Sequence, residues 1–170
     1  TICRPGVVFG PGENGNVTRL IKIIKKKLFF YMGNKDLRKA GIYIKELINT
    51  MIWVNQKQLS KDFSSIELFN ASLHPCPKLN DYAKEICYQF NISNKFLSIP
   101  KRIVIFMLFI TSFITKNLKS NSNFSYIRLS KLFRSNFIKP SFLLDKQYIF
   151  KYGLNASMKD WKKNNPSDWI

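Results

Sequence analysis

The side chains in this sequence that are equipped for chemistry are mostly cations. Arg38 and Lys39 stand together in a polar stretch, and Arg128, Lys131 and Arg134 recur close together near the end of another. Such groups form charge-assisted hydrogen bonds with phosphate or carboxylate oxygens, and the arginine fork can grip two oxygens at once. Asn16 and Val17 open a stretch of helical periodicity. A helix start there presents free backbone N–H groups that suit a diphosphate, and Asn16 equally suits a plain N-cap. Pro5-Gly6-Val7-Val8 places a fixed backbone angle beside a residue that lets another group come close.

No catalytic constellation accompanies these residues. His74 is the single histidine, and there is no Gly-x-Ser-x-Gly, His-Glu-x-x-His or Gly-Lys-Ser/Thr pattern. The glycines at 10, 12 and 15 do not lead into Lys-Ser/Thr; they have the Gly-x-Gly-x-x-Gly spacing, but are not read as the Rossmann fingerprint, which belongs between the first strand and first helix of that fold. Cys3, Cys76 and Cys87 with His74 lack the paired short spacings of a structural zinc site. Their odd number suits a reducing setting better than a disulfide framework. Neither a catalytic residue nor a metal site is expected.

The elements that must position these residues alternate in type. Residues 1–4 predict a short buried strand, and 6–16 a glycine-rich loop. Val17, Leu20, Ile21, Ile24 and Leu28 predict an amphipathic helix with Lys22, Lys25 and Lys26 outside. Leu28 to Met32 reads as a strand and 33–41 as a polar loop. A further apolar element starts at Ile42, and a helical stripe runs from Leu47 to about Val54. A surface loop at 55–65, a strand at 66–70, a rigid His74-Pro75-Cys76-Pro77 link and a helix capped by Asn80 or Asp81 follow. Ile99-Pro100 opens another helix. Ile103 to Thr115 is strongly apolar but shorter than the about 20 residues needed to cross a bilayer. A last helix near Leu154–Lys163 has Trp161 as its anchor. The class is α/β.

Lysine and arginine total 28 against 10 acidic residues, a formal charge of +18. That field favours anionic partners. Lysine alone supplies 22 of the cations, and it is abundant together with Asn, Ile and Phe, so a general compositional bias explains the charge equally well. The chain starts with Thr1 inside a strand-like run and shows no signal-peptide pattern, which suggests a piece of something longer in a cytoplasmic setting.

Arg4-Pro5-Gly6-Val7-Val8-Phe9-Gly10-Pro11-Gly12 resembles the segment that follows the catalytic Tyr-x-x-x-Lys helix in the extended short-chain dehydrogenase/reductase family, the NAD-dependent epimerases and dehydratases. Phe30-Tyr31-Met32-Gly33, a basic loop and Gly41-Ile42-Tyr43-Ile44-Lys45-Glu46-Leu47 resemble that family's next block. Phe69-Asn70 with the 81–90 helix, and Tyr152-Gly153-Leu154 through Asp160-Trp161, continue the likeness in order. The resemblance implies the C-terminal edge of a Rossmann-type parallel sheet plus a small α/β substrate-binding lobe. Residues 1–16 would belong to the first and 17–170 to the second, and the dinucleotide-binding half, with the glycine fingerprint and catalytic tyrosine, would lie outside the chain.

The same resemblance implies NAD or NADP at the Pro5, Gly6, Val7 and Val8 edge. It implies a nucleotide-sugar substrate against Asn16, Val17, Phe30, Tyr31, Arg38, Lys39 and Arg134. It also implies a homodimer of the whole enzyme and, in bacteria, a role in surface-polysaccharide synthesis. Taken alone, the chain would be inactive. Val7 stands where nucleotide-sugar epimerases often carry Asn, and Glu46 where the family usually has Asp. A hydroxysteroid-dehydrogenase-like relative therefore stays open. So do a basic nucleic-acid-binding module, although no RNP, helix-turn-helix or finger pattern supports one, and a peripheral membrane protein held at the inner face of the membrane through residues 103–115.

Overall fold

A computed structural model describes residues 1–107 and 133–170 of the chain. Arg128, Lys131, residues 108–115 of the apolar run and the loop expected at 117–126 lie outside the described residues.

Three pairs of short parallel strands form the scaffold. Strand β1 (Ile2–Pro5) pairs with β5 (Leu68–Ala71), β2 (Val7–Phe9) with β4 (Gly41–Tyr43), and β3 (Tyr31–Met32) with β6 (Ser98–Ile99). Parallel strands require a long crossover, and helices supply it. Helix α1 (Asn16–Lys25) follows β2, α2 (Ile44–Leu59) follows β4 and α3 (Leu79–Phe90) follows β5. Residues 101–107 are helical. Helix α4 (Ser141–Asp145), α5 (Leu154–Asn164) and a 3₁₀ turn (Pro166–Trp169) complete the described chain. The α/β class and a Rossmann-like arrangement of short parallel strands are thus what the sequence forms.

The chain changes partner at Gly6. Gly6 N–H donates to the Ala71 carbonyl at 2.8 Å, while Val7 N–H donates to the Ala40 carbonyl at 3.0 Å. The Leu73 N–H then donates to Gly41 at 2.8 Å, so the extension of β5 also meets β4. This crossing is tight. A Cβ on Gly6 would lie 2.9 Å from the Ala40 carbonyl oxygen, and one on Gly41 would strike the Tyr82 hydroxyl. Glycine suits both positions because backbone at Gly6, and the Tyr82 hydroxyl with the Val7 carbonyl at Gly41, occupy the space a side chain needs.

Two apolar clusters hold the elements. Ile21 and Ile24 of α1, Ile86 of α3, and Met158 and Trp161 of α5 close over Phe9 and Tyr43. The amphipathic spacing of α1 puts its lysines outside this cluster. Trp161 is fully buried, and its indole N–H donates to Asp168 at 2.8 Å, so the one polar atom of the anchor is satisfied. The second cluster sets Val54 of α2 and Leu143 of α4 against Ile42, Phe69 and Ala71. Glu46, fully buried in the first turn of α2, accepts the Tyr148 hydroxyl at 2.7 Å and the Tyr152 N–H at 2.6 Å. Without those donors its burial would be costly.

Four expectations change. The first strand is not buried: Ile2 and Arg4 are exposed, and among the described residues β1 pairs with β5 alone. The apolar run at 28–32 yields only two strand residues, those that find a partner in β6, an unexpected strand just before the expected helix, which begins after Pro100 at residue 101. Helix α2 begins at Ile44 and absorbs 55–59 of the expected loop. Helix α3 starts at Leu79, and Asp81 closes its first turn by accepting the Lys78 N–H at 2.8 Å.

Candidate functional site

The cationic loop before β4 is held by two backbone bridges, one from each side. Arg38 bridges Lys78 and Lys39 bridges Asn136. Lys39 N–H donates to the Pro77 carbonyl at 2.8 Å, Asn136 N–H to the Arg38 carbonyl at 2.8 Å, and Ala40 N–H to the Asn136 carbonyl at 2.8 Å. The Arg38 N–H donates to the Ser135 hydroxyl at 3.0 Å, and the Lys39 ammonium donates to the Arg134 carbonyl at 2.8 Å. Residues 38–39 and 134, far apart in the chain, therefore meet. The Arg38 guanidinium lies over the Phe137 ring at 5.3 Å, which fixes its plane. Lys78 joins the group and pairs with Asp36 at 3.1 Å.

Ala40 couples this cluster to the start of the chain. Its N–H belongs to the Asn136 ladder and its carbonyl accepts Val7 N–H. The Pro5–Val8 edge and the Arg38–Lys39–Arg134 cluster thus flank one residue. Pro5 and Val7 are exposed, and Gly6 and Val8 are half-buried. Because the Gly6 and Val7 amides are already used, what this edge can offer a ligand is carbonyl oxygen and the Pro5 and Val7 surfaces.

Burial tunes the surroundings. It pushes the Lys39 amine down from its ordinary value. It pushes the Cys76 thiol up, offset in part by a backbone hydrogen bond at Ile138 and by the Arg38 charge. Cys76 is therefore a neutral, buried plug under the loop and not a nucleophile. Burial also raises the Tyr82 hydroxyl, which donates to the Lys39 carbonyl at 3.3 Å. On the far wall, Tyr43 and Lys45 both reach Asp160, each at 2.7 Å.

The other predicted residues lie elsewhere or are already engaged. Asn16 is exposed and is the first residue of α1, with Gly15 before it. The α1 start is filled by the protein's own carboxylate. Glu13 accepts Val17 N–H at 3.4 Å, Thr18 N–H at 2.9 Å and the Thr18 hydroxyl at 2.6 Å. Tyr31 is buried and its hydroxyl donates to Asn80 at 3.0 Å, with burial pushing it up to about 12. Phe30 faces solvent. Ser135, Asn136 and Lys78, which build the cationic site, carry no signal in the sequence that would single them out. Among the described residues no group of three His, Cys, Asp or Glu is arranged for a metal. A shallow groove between α3 and α5, lined by Asp81, Lys84, Glu85 and Asn155, carries mixed charge and lacks the cationic character of the loop before β4.

No protein-family model matches the chain, and no curated protein matches it in sequence. Solved structures do match its fold. A human epimerase family protein solved with NADPH aligns over 95% of this chain and 48% of its own, with TM-score 0.65 and 16% identity. Helicobacter pylori ADP-L-glycero-D-manno-heptose-6-epimerase aligns over 95% and 43%, with TM-score 0.55 and 14% identity. UDP-glucose 4-epimerase of Thermotoga maritima, solved with UDP-glucose, aligns over 95% and 45%, with TM-score 0.51 and 13% identity. The chain spans about half the length of these structures. It has, over that length, the fold of the NAD(P)-dependent epimerases and dehydratases of the extended short-chain dehydrogenase type.

Proposed function

We propose that the chain forms the substrate-binding lobe and one sheet edge of an NAD(P)-dependent epimerase or dehydratase acting on a nucleotide-activated sugar. Residues 1–16, with their strand partners β4 and β5, supply the sheet edge, and the rest of 17–170 the lobe. The observation that carries this reading is the meeting of two segments at Ala40: the Pro5–Val8 edge, and the loop of Arg38 and Lys39, which is joined to the backbone of residues 134–136. A diphosphate with a sugar on one side needs such an arrangement, with cations for the phosphates and a neutral backbone edge where the sugar meets the nicotinamide.

The cofactor supplies the hydride chemistry when bound. The residues of this chain bind and orient. Arg38 and Arg134 hold phosphate oxygens, and partly desolvated Lys39 strengthens the local field. Pro5 and Val7 would offer an apolar rim to the nicotinamide, and Gly6 lets that edge lie close to Ala40. The α1 N-terminus, occupied by Glu13, has no place in this assignment.

Calorimetric titration of the full chain with UDP-glucose tests the reading. Binding is expected, with Arg38→Ala and Arg134→Ala each weakening it by about tenfold, the worth of one charge-assisted hydrogen bond. Lys159→Ala, at an exposed position on α5, should leave it unchanged. Equal loss in all three variants would reduce the effect to net charge and overturn the assignment. Tighter binding of a steroid than of UDP-glucose would favour the hydroxysteroid-dehydrogenase-like relative instead.

A further inference from the structure

The β3–β6 pair presents a second surface that the substrate reading does not use. Its two faces follow from register. Tyr31 pairs with Ser98, so Phe30 neighbours Leu97 and Phe29 neighbours Phe96. Paired residues point to the same side of a sheet and successive residues to opposite sides. Phe29, Tyr31 and Phe96 turn inward, with ring centroids 4.8–6.0 Å apart. Phe30 and Leu97 therefore turn outward. They are 40% and 73% exposed, and Leu28, two residues before Phe30, is 67% exposed. The helical turns at 101–107 leave the same strand pair and keep Ile103, Phe106 and Met107 exposed.

Lysines neighbour these side chains in the sequence. Lys26 and Lys27 precede Leu28, Lys95 precedes Leu97, and the Lys101 side chain comes near Gly33 at the end of β3. No acidic residue occurs between Glu13 and Asp36, or between Glu85 and Asp145. The two segments that build this face thus carry positive charge only.

We propose that this face docks on an anionic lipid bilayer. Lysines near a negatively charged leaflet each add attraction, and exposed aliphatic and aromatic side chains among them enter the headgroup boundary. The geometry argues against nucleic acid as the occupant. Phosphate contacts need the lysines, but they give no reason for Leu28 and Leu97 to be held in water. The occupant that uses both the charge and the aliphatic surface is a lipid interface. Docking here leaves the Arg38–Lys39–Arg134 site with its own cations, so lipid binding and substrate binding can fail separately.

Co-sedimentation of the full chain with vesicles tests this. One set is phosphatidylcholine alone and the other contains about 30 mol % phosphatidylserine. The chain should pellet with the anionic set and remain in solution with the neutral set. L28S/L97S should lower the partition coefficient about tenfold or more, since two buried aliphatic side chains are lost. Leu59→Ser, which removes an equally exposed leucine at the end of α2, should leave it unchanged. Circular dichroism and UDP-glucose titration of each variant report whether the fold survives. Equal binding to both vesicle sets, no binding to either, or full retention by L28S/L97S would overturn the proposal. So would preference for a single-stranded oligonucleotide over the anionic vesicles.

Discussion

Two places in this molecule were fit on paper to receive a phosphate, and the fold treats them differently. At the start of α1, Glu13 folds back onto the amides of Val17 and Thr18 and onto the Thr18 hydroxyl. The partial positive charge of that helix end is answered internally. At the loop before β4, bridges from both sides bring Arg38 and Lys39 against Ser135 and Asn136, and the residue 134 backbone with them. There the fold gathers like charges, and gathering like charges costs energy unless an anion relieves it. A helix N-terminus is a generic anion site until its own sequence fills it. The cationic loop, by contrast, is held in place by long-range backbone bonds.

Breaking the second place should have the largest effect. Gly41→Val drives a side chain into the Tyr82 hydroxyl and toward the Val7 carbonyl at 3.2 Å, separating β4 from β2. Overpacking of this kind costs about 1–3 kcal/mol. A lower midpoint in urea unfolding and weaker UDP-glucose binding should appear together. Retained affinity in a destabilised variant would uncouple the cationic loop from the β2 edge.

Opening the first place should have a smaller effect with a distinctive rescue. Glu13→Ala removes the cap from α1 at a cost of about 1 kcal/mol. Inorganic phosphate should restore part of that loss in the variant more than in the wild-type chain, because the amides of Val17 and Thr18 become available. Equal stabilisation of both proteins by phosphate would mean that Glu13 was not occupying an anion site.

The smallest effect concerns the wall between β4 and α5. Burial tends to raise the Asp160 carboxyl, but hydrogen bonds from Lys45, Tyr43 and Asn164 outweigh it and hold the group below its ordinary range. A carboxylate depressed in the folded state stabilises above its unfolded value, and that contribution fades as pH falls through the folded value. Asp160→Asn should therefore be less stable than wild type near neutral pH, and the gap should close as the solution becomes more acidic than the usual carboxylate range. A gap independent of pH would assign Asp160 a packing role alone.

Much of this fold was legible as periodicity. Val17, Ile21 and Ile24 marked the buried face of α1, and Trp161 marked the anchor of α5. The Val7-Val8-Phe9 part of the first ordered block and Gly41-Ile42-Tyr43 of the next fell on β2 and β4, which meet at Ala40. What periodicity could not carry was pairing. Residues 98–99 form a strand only because Tyr31 and Met32 lie beside them, and their own sequence reads as the lead into a helix. Asn55 to Leu59 read as loop because they are polar, yet they continue α2, where straight-chain residues such as Gln and Lys lose little on entering a helix. The site was half legible. Arg38, Lys39 and Arg134 could be named as cations, but their meeting depends on Asn136 bonding to Arg38 and Ala40 across the molecule. The capping carboxylate of Glu13 comes from two residues before the Gly15 N-cap, where a pattern that reads Asn16 as the cap does not point.

The most direct test of the central claim is residue-resolved NMR titration of the full chain with UDP-glucose. Amides of Val7, Ala40, Ser135 and Asn136 should shift together and yield one shared dissociation constant, while those of Val17 and Thr18 stay still. Shifts concentrated at Val17 and Thr18, or separate constants for Val7 and Asn136, would contradict a single ligand cleft joined at Ala40.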